Sequence, residues 1–163
     1  MRLLLSSLSL CLALPAGAQE FTTYKGHGGP VMALDVSPDA RLASASFDNS
    51  VGLWPGPQWI EGHDAAVTAL SYEAAPVVIT GGDDFRVLMW HPQLDAPLEV
   101  AELKGKISAI AVAPGYERVA ISSWDGSIRL LQVIHPMQTI GSPPFSALPY
   151  DFYGHRSNVT DVA

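Results

Sequence analysis

Two Gly-His pairs, Gly26-His27 and Gly62-His63, stand 36 residues apart, and each histidine precedes a tryptophan, Trp54 or Trp90, by 27. The surrounding residues repeat with them. YKGHGGPVMALDVSPDARLASASFDNSVGLW from Tyr24 aligns with IEGHDAAVTALSYEAAPVVITGGDDFRVLMW from Ile60 and, more loosely, with ELKGKISAIAVAPGYERVAISSWDGSIRLL from Glu102. A further copy, YGHRSNVTDVA, starts at Tyr153. Agreement in both period and internal spacing marks a structural repeat, which limits the chain to architectures that stack one small unit on the next.

Within each copy the apolar residues recur every second position, the mark of half-buried strands. In the first copy strands are expected at Val31 to Val36, Arg41 to Ser46, Ser50 to Trp54 and Gln58 to Ile60, separated by turns at Pro38-Asp39, Asp48-Asn49 and Pro55-Gly56-Pro57. The second copy gives Val67 to Tyr72, Val77 to Thr80, Arg86 to Trp90 and Leu98 to Leu103; the third gives Ile107 to Ala113, Arg118 to Ser123 and Ser127 to Val133. The Pro- and Gly-rich stretch from Gln132 to Tyr153 reads as an irregular excursion. No segment after the first 18 residues carries an amphipathic helix, so the chain is read as all-β. A four-stranded antiparallel sheet has two faces to bury, and successive sheets must stack around an axis to do so.

Gly26-His27, Ser44, Asp48 and Trp54, with Gly62-His63, Thr80, Asp84 and Trp90, resemble the signature of the WD-repeat family. That resemblance implies a partial β-propeller: about three four-stranded blades plus the first strand of a fourth, in repeats of about 24–59, 60–99, 100–152 and a truncated 153–163. It implies that His, Ser or Thr, Asp and Trp of a repeat form one hydrogen-bonded chain. It implies too that Phe21 to Tyr24 closes the last blade. The third copy departs from the pattern, with Leu103, Ile121 and Leu131 at the His, Ser/Thr and Trp positions and only Asp125 retained. Apolar packing is expected to hold that blade. Since closed propellers have about four to eight blades, the sequence is expected to be a fragment of a larger product.

The first 18 residues combine Arg2, an apolar run from Leu3 to Leu14 and an Ala16-Gly17-Ala18 cleavage site, which reads as a secretory signal. Its removal takes away Cys11, the one cysteine, and leaves a formal charge of −8. A periplasmic or secreted location follows as the expectation, with no membrane attachment after cleavage. The acidic balance excludes the Lys/Arg-driven grip on phosphate that nucleic-acid binding needs.

The residues suggest no enzyme. His27, His63 and His155 occupy one slot in separate repeats, and His91 and His135 stand alone beside prolines, so no metal site is expected. Nucleophile-elbow, zinc-protease and phosphate-loop patterns are absent. No cofactor is expected in this chain; a haem c would belong to a further C-terminal domain. What remains is a binding surface. Phe47, Asp83 and Trp124 each precede a turn aspartate, where the resemblance implies the partner-binding end, and Lys106 lies near the same end. The expected function is a non-catalytic scaffold that binds a protein partner. The alternative is the docking module of a larger c-type cytochrome.

Overall fold

The computed structural model describes residues 21–56, 58–72, 76–92, 94–113, 117–133, 145–153 and 158–162. Residues 1–18, read above as a secretory signal, and His135 and His155 lie outside them. Among the described residues, twelve strands form three four-stranded antiparallel sheets. Blade 1 comprises β1 (Val31–Val36), β2 (Leu42–Ser46), β3 (Ser50–Trp54) and β4 (Gln58–Glu61), in that spatial order. Blade 2 comprises β5 (Val67–Ser71), β6 (Val78–Gly82), β7 (Arg86–Trp90) and β8 (Leu98–Glu102), and blade 3 comprises β9 (Ile107–Val112), β10 (Arg118–Ser123), β11 (Ser127–Val133) and β12 (Phe145–Tyr153). The turns β2–β3, β6–β7 and β10–β11, and the segments leading into β1, β5 and β9, share one end of the stack, here called the upper end.

The irregular excursion expected from Gln132 to Tyr153 is corrected over Phe145–Tyr153, which is β12 and pairs with β11 as the outer strand of blade 3; residues 134–144 lie outside the described residues. The register runs Arg129 to Asp151 and then Leu131 to Ala147, so Leu148, Pro149 and Tyr150 are taken up as an irregularity. An edge strand tolerates this because a proline there forfeits no ladder hydrogen bond on its open side.

Alternation along the strands gives each sheet two apolar faces, and these bind the blades together. Ala43, Ala45 and Val51 of blade 1 pack with Val67, Leu70, Tyr72, Val78, Leu88 and Trp90 of blade 2. The opposite face of blade 2, through Ala69, Ile79, Val87 and Met89, meets Ile107, Ile110, Val119, Ile121 and Leu131 of blade 3. Gly81 permits the close approach there, since a Cβ on it would lie 2.4 Å from Ile107 Cγ2. On the corresponding outer face of blade 1 no sheet lies against β1 among the described residues, and Leu34 and Val36 are 62% and 56% exposed.

Each first strand is also interrupted at its second residue. The register slips across Met32, Thr68 and Ser108. Such a bulge turns an extra side chain out of the ladder. Thr68 uses it to donate a hydrogen bond to the Ile107 carbonyl of the next blade, at 2.6 Å. Ser108 donates likewise to the Val159 carbonyl. Val159 is buried and its N–H reaches the Ser123 carbonyl at 3.4 Å, so 158–162 docks on blade 3 where the fourth repeat begins, without forming the expected strand. Phe21 to Tyr24 likewise pairs with no strand; Tyr24 rests its ring on Trp54, with centroids 5.0 Å apart.

Candidate functional site

Two hydrogen-bonded chains run through the interiors of blades 1 and 2. In blade 2 the Trp90 indole N–H donates to Thr80 Oγ1 at 2.8 Å, and Thr80 Oγ1 lies 2.8 Å from His63 Nε2. His63 Nδ1 lies 2.9 Å from Asp84 Oδ2. The donor inventory fixes the direction. The Asp84 carboxylate can only accept, so His63 Nδ1 carries a proton; burial favours the neutral ring, whose Nε2 then accepts the Thr80 hydroxyl proton while the Thr80 oxygen accepts from the indole. Burial pushes the imidazole below its ordinary range and outweighs the opposing pull of the Asp84 carboxylate. Burial also works to raise Asp84, but donation from the Asp64 N–H, from His63 and from the Arg86 N–H keeps its carboxyl below the usual range. The Arg86 guanidinium adds a 2.9 Å contact to the same oxygen.

Blade 1 repeats the arrangement: Trp54 Nε1 donates to Ser44 Oγ at 2.9 Å, His27 Nε2 lies 2.7 Å from that oxygen, and His27 Nδ1 lies 3.2 Å from Asp48 Oδ2. Asp48 is also held well below the usual carboxylate range. Burial opposes this, but the Ser50 hydroxyl and N–H, the Gly28 N–H and His27 all donate to it. The Gly-His pair needs its glycine because a ring lies on it: a Cβ at Gly62 would come within 2.6 Å of Trp90. The chains differ in shielding. The His63 side chain is fully covered and that of Asp84 is 8% exposed, against 7% and 21% for His27 and Asp48. Blade 1 packs on the face of blade 2 that carries Trp90, whereas among the described residues no sheet lies against the corresponding face of blade 1.

In blade 3 the structure brings Leu103, Ile121 and Leu131 together as buried members of one apolar cluster. Asp125 still accepts from the Lys104 N–H at 3.1 Å and the Ser127 N–H at 2.8 Å. It braces the turn with no imidazole to satisfy.

At the upper end, three backbone hydrogen bonds fix equivalent positions from blade to blade: Phe47 N–H to Pro30 C=O, Asp83 N–H to Ala66 C=O and Trp124 N–H to Lys106 C=O, at 2.9, 2.8 and 3.0 Å. Phe47 and Trp124 are 57% and 44% exposed. Lys106 and Asp83 meet between blades 2 and 3, with Nζ 3.8 Å from Oδ1, and the same ammonium stands 3.4 Å from the centroid of the Trp124 ring. Sequence reasoning missed Phe85, which is 42% exposed beside Asp84. It adopts φ +71°, at the turn position where Asn49 and Gly126 adopt +71° and +87°. Asn and Gly accept that conformation readily, and a bulky residue does not. The signal was legible: D-F-R stands where the other copies read D-N-S and D-G-S. Among the described residues no group of three or more His, Cys, Asp and Glu side chains is placed to hold a metal ion.

The family model for the WD domain, G-beta repeat, matches residues 18–55, 58–91 and 98–131. The chain is similar to the ribosome biogenesis protein YTM1 of Eremothecium gossypii, 29% identical over 141 residues that cover 72% of this chain and 32% of that protein. It is 28% identical over 131 residues to transcription initiation factor TFIID subunit 5 of Caenorhabditis elegans, covering 72% of this chain and 19% of that protein. It is 27% identical over 121 residues to a probable coatomer subunit beta' of Schizosaccharomyces pombe, covering 66% of this chain and 15% of that protein. The chain thus spans about a third or less of the length of these relatives. The periplasmic or secreted location expected from the first 18 residues is corrected by them: these are eukaryotic proteins of nuclear and cytosolic processes, and none is a periplasmic protein. With matched repeats over more than half its length, the chain belongs to the WD domain, G-beta repeat family.

Proposed function

We propose that this chain is a non-catalytic scaffold that binds a protein partner through the upper end of its blades. The observation that carries the reading is the exposure of Phe47, Phe85 and Trp124 on the turns of three successive blades, with Asp83 and Lys106 between them. Large aromatic side chains at a rigid, polar-rimmed surface are the groups that anchor protein interfaces. The sheets beneath hold their backbones at fixed positions, so little ordering entropy is lost on binding. The names of two relatives, a coatomer subunit and a transcription-factor subunit, agree with a role in an assembly.

The test uses the whole chain as bait in extract from its own source cells. Phe47→Ala combined with Trp124→Ala should remove the retained partner while the melting temperature changes little, because both side chains are exposed in the free chain. Retention undiminished by the double substitution would count against the reading.

A further inference from the structure

The upper-end turns of the three blades share one conformation and hold three different residues in it. Asn49, Phe85 and Gly126 each follow a turn aspartate. Each closes its turn by donating its N–H to the carbonyl three residues back, Ser46, Gly82 or Ser123, at 3.3, 3.2 and 3.2 Å. All three are left-handed, at φ +71°, +71° and +87°. The repeat therefore imposes this conformation whatever side chain stands there. Asn and Gly take it readily, whereas a phenylalanine brings its Cβ too close to the following carbonyl oxygen. Phe85 is also held from its other side, because its carbonyl accepts from the Leu103 N–H at 3.0 Å. Nothing within the chain offsets the strain through the ring. It is 42% exposed, and among the described residues no aromatic ring or cation stands against it, whereas the Trp124 ring carries the Lys106 ammonium over its face.

We propose that Phe85 sets the affinity for the protein partner by seating its ring against an apolar side chain of that partner, and that the strained turn is retained for this contact. This rests on the scaffold reading and gives the partner its chemistry at the middle blade. A strained, exposed residue that stabilises nothing in the free chain has its benefit in a bound state. A phenyl ring has no polar atom, so covering it with apolar surface is what gains free energy. The carboxylates of Asp84 and Asp64 are each already paired with the Arg86 guanidinium at 2.9 Å, so this turn presents a ring and not a free charge. The two backbone hydrogen bonds fix where the ring projects, which keeps the ordering cost of binding small.

The experiment selects short random displayed peptides on the purified full chain and then measures their recovery on variants whose thermal transitions are recorded alongside. The selected peptides should be enriched in large apolar residues. Phe85→Asn, which puts the residue of the first blade's turn into the second, should raise the melting temperature by about 3 °C and lower recovery about tenfold. A loss of binding in a more stable chain cannot come from unfolding. Phe85→Tyr, which keeps both ring and strain, should leave the two readings nearly unchanged. Undiminished recovery on Phe85→Asn, where Phe47→Ala with Trp124→Ala abolishes it, would overturn the inference and leave the scaffold reading standing. Undiminished recovery on both would count against both. A lower melting temperature for Phe85→Asn, selection of charged peptides without apolar residues, or no selection on the unaltered chain would overturn the inference as well.

Discussion

Replacing Thr80 by isoleucine should destabilise the chain by about 4 kcal/mol, yet adding His63→Leu and Trp90→Leu to it should cost far less than the three separate losses summed. Thr80 is fully buried and is the one group that both accepts from the Trp90 indole and donates to His63. Its loss strands two buried polar groups, each at about 1–3 kcal/mol. Blade 3 solves the same problem with Leu103, Ile121 and Leu131, so the triple variant copies a solution that the fold already uses. Its residual cost, about 3 kcal/mol, comes from the cavity left by the indole. Asp84 stays satisfied by the Asp64 and Arg86 N–H groups, as Asp125 is by Lys104 and Ser127.

The same variant carries a pH signature. Folded His63 binds a proton less readily than the ordinary imidazole at 6.5, so the unfolded chain takes up protons first as pH falls below that value. The stability that neutral His63 provides is complete above 6.5 and declines below it. The triple variant should lose this decline and keep the one below 3.8, where Asp48 and Asp125, also held low in the fold, become protonated in the unfolded chain first. Urea titrations of the single and triple variants across this range measure both effects. Additive losses would mean that the chain residues act independently.

A second large effect belongs to the seam between blades 2 and 3. Ile107 is fully buried and packs over Gly81 with Ala69, Ile79, Val119 and Ile121 around it. Ile107→Ala should cost about 3–4 kcal/mol, the lost transfer energy plus that of a cavity the flanking sheets cannot close. Gly81→Val should match or exceed it, because even its Cβ would stand 2.4 Å from the isoleucine. Stability in stacked repeats is carried by neighbour interfaces, so the damage should stay local. Hydrogen exchange should quicken in Ile107–Val112 and Arg118–Ser123 while Leu42–Ser46 keeps its protection.

The all-β stack was legible because the chain states its period twice, through the Gly-His pairs and their tryptophans, and because strands half-buried in a blade must alternate. What spacing does not record is the response of a strand to its place in the sheet. β12 was missed because FSALPYDFY contains Pro149 and breaks alternation, which only an outer strand survives. Phe21 to Tyr24 is placed by the resemblance as the closing strand of a last blade that is not among the three described sheets, and Tyr24 rests its ring on Trp54 instead. At the upper end, Phe47, Asp83, Trp124 and Lys106 could be placed by counting from the turn aspartates. The Lys106 contact with Asp83 joins blades 2 and 3, and such a contact follows from stacking geometry, which no single repeat encodes. Phe85 was overlooked for a different reason: the turn needs a left-handed residue, and phenylalanine is a poor choice unless its exposed ring serves another end.

Site-specific photo-cross-linking in the source cells tests the central claim most directly. A photoreactive phenylalanine analogue is placed singly at Phe47 and Trp124 on the upper end, and at the exposed Asp39 and Asp95, in the connections β1–β2 and β7–β8 on the opposite end. The scaffold account predicts a discrete protein adduct from positions 47 and 124 and none from 39 and 95. Adducts arising from 39 and 95 alone, or equally from both ends, would contradict it.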